Sequence, residues 1–109
     1  MEQAQTAVEK ARAQAQANDA EVFVPSAWTA AEDSLTQAAD AFQAAQATPA
    51  LATYTTVAYL YTQTAELYAE AATQAEREAA VQAVEQAQTA AEKARTKAQA
   101  SDAEALVPT

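Results

Sequence analysis

Residues 26–68 read SAWTAAEDSLTQAADAFQAAQATPALATYTTVAYLYTQTAELY. Large side chains recur in this stretch every seven positions: Trp28, Leu35 and Phe42 before Thr48-Pro49, then Tyr54, Tyr61 and Tyr68 after it. A sustained seven-residue period marks helices that pack along a seam. Ala31, Ala38 and Ala45 take the alternate seam positions of the first helix. For an antiparallel hairpin turning at Thr48-Pro49, facing residue numbers add to about 96. Phe42 then faces Tyr54, Leu35 faces Tyr61 and Trp28 faces Tyr68, while Ala45, Ala38 and Ala31 face Leu51, Ala58 and Ala65. The pairing predicts one core seam of Trp28, Leu35, Phe42, Tyr54, Tyr61 and Tyr68, with the axes drawn to about 8 Å at the alanine layers.

Outward from this hairpin the helix breakers are few. Pro25 and Pro49 each suit a first helical turn, where the missing N–H costs nothing. Thr48 is placed to cap the helix that follows it, and Val24 or Ser26 takes that position near Pro25. The expected order is helix A over about 2–18, a DAEVFVP connector, helix B over about 26–47, and helix C from about 49. Helix A joins the hairpin with Val8 near Leu35 and Ala15 near Trp28. Nothing interrupts the helical pattern after Pro49 until about Ser101. Such a helix of about 52 residues spans roughly 80 Å at 1.5 Å per residue.

The composition agrees. About a third of the 109 residues are alanine, and glycine is absent. Ala, Gln, Glu and Lys lose little side-chain entropy in a helix. A chain without glycine is poorly equipped for the positive-φ turns of β-hairpins. The expected class is all-α, an antiparallel three-helix bundle with coiled-coil-like packing and a long third helix.

An internal repeat explains that length. Glu2–Pro25 reads EQAQTAVEKARAQAQANDAEVFVP and Glu85–Pro108 reads EQAQTAAEKARTKAQASDAEALVP, identical at 18 of 24 positions with an offset of 83 residues. Shared QTA, EKAR and DAE strings lift the match above alanine coincidence. Residues 1–83 are therefore expected to form one complete repeat. Residues 84–109 open the next, with helix to about 101 and then a connector. Helix C of one repeat would continue as helix A of the following one, an architecture similar to spectrin-type repeats. Adjacent repeats are the expected partners. The 80–100 helix, with Val81, Val84, Ala91 and Ala98 on its seam, is a candidate for self-association.

The formal charge is −9, and no Lys or Arg falls between Ala13 and Glu76. Nucleic-acid binding needs a basic footprint that this chain lacks, and anionic membrane surfaces are disfavoured for the same reason. No apolar run approaches the roughly 20 residues of a membrane span. Without His, Cys or a Gly-rich loop, nucleophile–base pairs and phosphate cradles lack their usual parts. Glu32-Asp33 and Glu76-Arg77-Glu78 are the densest acidic spots, but adjacent helical residues diverge by about 100° and do not converge on one ion. No catalytic, cofactor or metal site is expected, and the chain reads as no enzyme.

The chemically rich cluster is Tyr54, Tyr59, Tyr61 and Tyr68. Three of these belong to the seam. Tyr59 lies off it and is the candidate partner contact. The pairs Thr53/Thr64 and Thr62/Thr73 share the eleven-residue spacing of Ala-rich ice-binding helices, but on different faces they make no flat array.

The stretch DAEVFVPSAWTAAEDSLTQAADAF, followed by a long Ala-rich helix with AELYAEAATQAE, resembles an uncharacterised alanine-rich domain family of bacterial cell-envelope proteins. Phe23, Pro25, Trp28, Ala31, Leu35 and Ala38 carry the resemblance, which covers about Thr6 to Glu76. It implies a helical fold and an extracytoplasmic location, at the bacterial envelope or surface, and no activity. The expected function is a structural repeat forming a rod, stalk or spacer. The alternative is a protein-binding repeat that captures a partner on an exposed helix face.

Overall fold

The structure, a computed structural model, describes residues 2–106. Those residues are all helical apart from short turns: α1 (Glu2–Ala17), α2 (Ala20–Phe23), α3 (Pro25–Ala47) and α4 (Leu51–Leu106). No strand occurs among them. The chain divides into two compact units, Met1–Glu78 and Ala79–Thr109. The first ends a few residues before the repeat boundary expected at 83.

In the first unit, α1 and α3 pack against the opening part of α4 around one core. Val8, Ala15, Trp28, Ala31, Ala38, Ala45, Val57, Tyr61, Tyr68, Ala71, Ala72 and Ala75 are all buried there. Most of these are alanines, so the helices make their core by close approach more than by bulk. Trp28, Tyr61 and Tyr68 lie deep, whereas Leu35, Phe42 and Tyr54 are half-buried and pack on the edge of the core.

The registers differ in detail from the sequence expectation. Trp28 does meet Tyr68, edge to face at 5.4 Å between ring centroids. Phe42, however, meets Tyr61 at 6.5 Å rather than Tyr54. Leu51, expected opposite Ala45, is 86% exposed, and Ala58 and Ala65 are only half-buried. Their places in the core are taken by Val57, Thr64 and Ala71, each three residues after a seam tyrosine rather than four. The cause is the third helix. The pairwise sum lets α4 face α3 alone, but α1 also lies on it: Asn18 Nδ2 donates to the Ala72 carbonyl at 3.0 Å, and Val8 and Tyr61 border one groove.

The turns also differ. Thr48, Pro49 and Ala50 all lie outside helices, and Tyr54 N–H bonds to Ala50 O at 3.1 Å, so Ala50 rather than Thr48 caps α4. Pro25 opens α3 with Val24 as its cap residue, as one of the two expected placements had it. The DAEVFVP connector is itself partly helical, because Ala20–Phe23 forms α2. Asp19 separates α1 from α2 with φ 56° and ψ 41°. In a chain without glycine, Asp is one of the few residues that tolerates this left-handed geometry.

In the second unit α4 runs through the second copy of that sequence without a break. Asp102 is helical where Asp19, in the same Asp-Ala-Glu tripeptide, breaks the helix. The tripeptide by itself therefore does not impose the break at Asp19. Helix extends to Leu106 instead of about 101, and residues 107–109 of the expected connector lie outside the described residues. Every residue from Ala80 to Ser101 is exposed.

Threonine is common in α4 although it is a middling helix former. Thr55, Thr56, Thr62, Thr64, Thr73 and Thr96 each donate to the carbonyl four residues back, at 2.8–3.1 Å. The hydroxyls are thereby satisfied without leaving the helix. Thr64 is fully buried, so it cannot join Thr53 in an exposed array.

Candidate functional site

In the middle of the first unit polar side chains converge from α1, α3 and α4. Arg12 on α1 donates from Nε to Glu32 Oε1 at 2.9 Å. Tyr68 on α4 donates its hydroxyl to the same oxygen. The Arg12 guanidinium also sits 5.4 Å from the centre of the Trp28 ring, one helical turn before Glu32 on α3. Trp28 in turn packs against Tyr68. Each element places its residue for a plain reason. Trp28 and Glu32 are four apart and share a face of α3, while Arg12 lies between Val8 and Ala15, the buried residues of α1.

The electrostatics are those of a structural clasp. The hydrogen bond to Glu32, then that with Tyr68, holds the Arg12 guanidinium above its ordinary pKa. Burial raises the Glu32 carboxyl, but hydrogen bonds from Arg12 and Tyr68 and the charge of Arg12 outweigh it, leaving the group below the usual carboxylate value. Burial pushes the Tyr68 phenol up to about 12, and its hydrogen bond to Glu32 adds to the rise. The Arg12 and Glu32 side chains remain 38% and 35% exposed. At such exposure the pair contributes at most about 1 kcal/mol by itself. Its larger consequence is orientation, since one carboxylate ties α1, α3 and α4 in a single register.

A second polar contact lies further along the same interface. Thr64 gives its only hydroxyl proton to the Leu60 carbonyl, so the 2.6 Å contact with Ser34 has Ser34 as donor. Among the described residues, every buried side-chain nitrogen or oxygen has a hydrogen-bond partner. No group of three His, Cys, Asp or Glu side chains capable of holding a metal ion occurs among them. None of their helices is long and apolar enough to cross a membrane.

Of the residues singled out from the sequence, Trp28, Tyr61 and Tyr68 are brought together in the core, with Leu35, Phe42 and Tyr54 at its margin. Tyr59 is 61% exposed and accepts a hydrogen bond from Gln63 Nε2 at 2.8 Å. The clasp was missed. Its signal was present, because placing Val8 by Leu35 and Ala15 by Trp28 already sets Arg12 opposite Glu32. Comparison of the chain with protein-family models, curated proteins and solved structures finds no match.

The clasp sets the pH dependence. Tyr68 has a raised pKa in the folded chain, so its contribution to stability is complete below about pH 10 and is lost as pH rises through about 12. Glu32 has a lowered pKa, so its contribution is present above about pH 4.5 and fades as pH falls through the folded-state value. The difference in 295-nm absorbance between the parent chain and Tyr68→Phe is expected to show one phenolate appearing near pH 12. Its appearance near pH 10 would mean that the Tyr68 hydroxyl is open to water.

Proposed function

We propose that this chain is a non-catalytic structural repeat, a helical unit whose tandem copies build a rod, stalk or spacer at a bacterial surface. The observation that carries the reading is α4. One uninterrupted helix includes the third helix of the first bundle and, from Glu85, a near-copy of α1. A helix shared in this way makes the last helix of one bundle the first helix of the next. The absence of His, Cys and Gly from the sequence supports a role without catalysis. The envelope location rests on the resemblance of residues 6–76 to alanine-rich envelope domains.

Tandem copies give the test. If each copy advances about 80 Å along the shared helix and returns about 33 Å along α3, the net gain is roughly 45 Å per 83 residues at 1.5 Å per residue. Small-angle scattering from chains of two, three and four copies should show a maximum dimension growing by about that amount per copy. Growth of less than half as much would mean that successive bundles fold onto one another. The capture of a partner on an exposed face, with Tyr59 as its contact, would then be the better reading.

A further inference from the structure

The residues that seat α1 recur on the exposed part of α4, and the first unit displays what they seat against. Val8 and Ala15 of α1 are buried, Ala4 and Ala11 are partly buried against the core, and Arg12 holds Glu32. At the repeat offset these are Ala91, Ala98, Ala87, Ala94 and Arg95. All five are exposed. The match is more than a stripe of small residues, because the same pattern is seen docked 83 residues earlier with its arginine on a carboxylate and a tryptophan ring.

Charge points the same way. Lys93, Arg95 and Lys97 are half of the six basic residues in the chain. The α3–α4 hairpin from Pro25 to Glu76 has none, and it carries Glu32, Asp33, Asp40, Glu66, Glu70 and Glu76. The exposed helix sets Glu85 and Glu92 against three basic residues, whereas α1 balances Glu2 and Glu9 against Lys10 and Arg12; Lys97, where α1 has Gln14, is the one added charge that favours the acidic hairpin.

We propose that the exposed helix 85–101 is a docking surface for the α3–α4 hairpin of a second copy of this chain. There it takes the place of α1, with Ala91 where Val8 sits, Ala98 where Ala15 sits, and Arg95 on Glu32 and Trp28. The exchange is weak by construction of the sequence. The resident α1 is tethered to its hairpin and so competes at high effective concentration. It also presents Val8, whereas the incoming helix presents Ala91. That difference in buried apolar surface favours α1 by about tenfold.

The competition supplies the test, read by sedimentation equilibrium on the full 109-residue chain. Ala91→Val improves the incoming helix and should raise the association constant about tenfold. Val8→Ala weakens the resident helix and should raise it by a similar factor, with the double variant near one hundredfold. Ala98→Lys places a charge where Ala15 is fully enclosed, and should abolish association in every background. If Val8→Ala costs the first unit its near-ultraviolet Trp28 signal, Arg12→Ala serves as the milder way to loosen α1.

A double variant that stays monomeric at millimolar concentration overturns the proposal. So does association that responds to Ala91→Val but not to the loosening of α1, which is the behaviour of two 85–101 helices pairing face to face. Association that survives Ala98→Lys overturns it as well. The proposal rests on the repeat reading, yet the two part experimentally. Scattering from tandem chains reports extension, whereas this assay reports recognition, and either can fail alone.

Discussion

Trp28→Ala should lower the stability of the first unit by about 3–5 kcal/mol. At 8% exposure Trp28 is the largest residue of the core, and it touches both Arg12 of the clasp and Tyr68 of the seam. Its removal opens a cavity beside Tyr68, strips the Arg12 guanidinium of its aromatic face, and loosens the two groups that hold Glu32. Stability in proteins is about 0.05–0.15 kcal/mol per residue, so the loss consumes a large share of what a unit of this size has. Urea denaturation followed by far-ultraviolet circular dichroism measures it. Leu35→Ala is the contrast. Leu35 shares the seven-residue period but is only half-buried, and about 1–2 kcal/mol is expected. Equal costs at the two positions would show that sequence period, rather than depth, governs this core.

Ala38→Leu should be damaging in the opposite sense, by adding atoms. Ala31, Ala38 and Ala45 are each fully enclosed, at successive heptads of α3. Three added carbons at the middle layer force α3 away from its neighbours, and a cost of about 1–3 kcal/mol follows from overpacking. The same change at Ala44, exposed on the same helix, should stay within about 0.5 kcal/mol. Thermal denaturation of the two variants side by side checks the pair. A tolerated Ala38→Leu would mean that the alanine layers are spaced more widely than full enclosure implies.

Much of the architecture was legible because the heptad positions and the breakers agree. Trp28, Leu35 and Phe42 set the face of α3, Pro25 opens it, and Thr48-Pro49 separates it from α4. The Trp28–Tyr68 contact follows from that arithmetic. What escaped was the rotation of α4. A sum of residue numbers describes two helices, and Val57, Thr64 and Ala71 are buried because α4 has a second neighbour in α1. Thr64 was hard to foresee for a further reason. A polar residue reads as surface until its hydroxyl is seen bonded to Leu60 O and met by Ser34.

The clasp was hidden differently. Glu32 stands next to Asp33 in an acidic pair, and Arg12 lies twenty residues away in an alternating run of alanine and glutamine. Neither position signals the other unless the A–B register is carried through to its polar members. The break at Asp19 falls where the sequence reading ended helix A, but the tripeptide alone does not dictate it, since the identical Asp-Ala-Glu at 102–104 is helical. The two copies of that tripeptide differ in what packs against the helix before them.

That difference gives the central claim its most direct measurement. Residues 85–101 are held to be a second α1, differing from the first in what covers them and little in sequence. In the 109-residue chain, amide hydrogen exchange should show them far less protected than residues 54–75 of the first unit. In a longer chain where residues 26–83 follow Pro108, a second α3–α4 hairpin becomes available to cover them. Their exchange should then slow by on the order of 100-fold, to the level expected of residues 8–15 in the first unit, while residues 54–75 stay unchanged. Exchange at 85–101 that is the same in both chains would contradict the account, because it would show that the copied sequence does not do what α1 does.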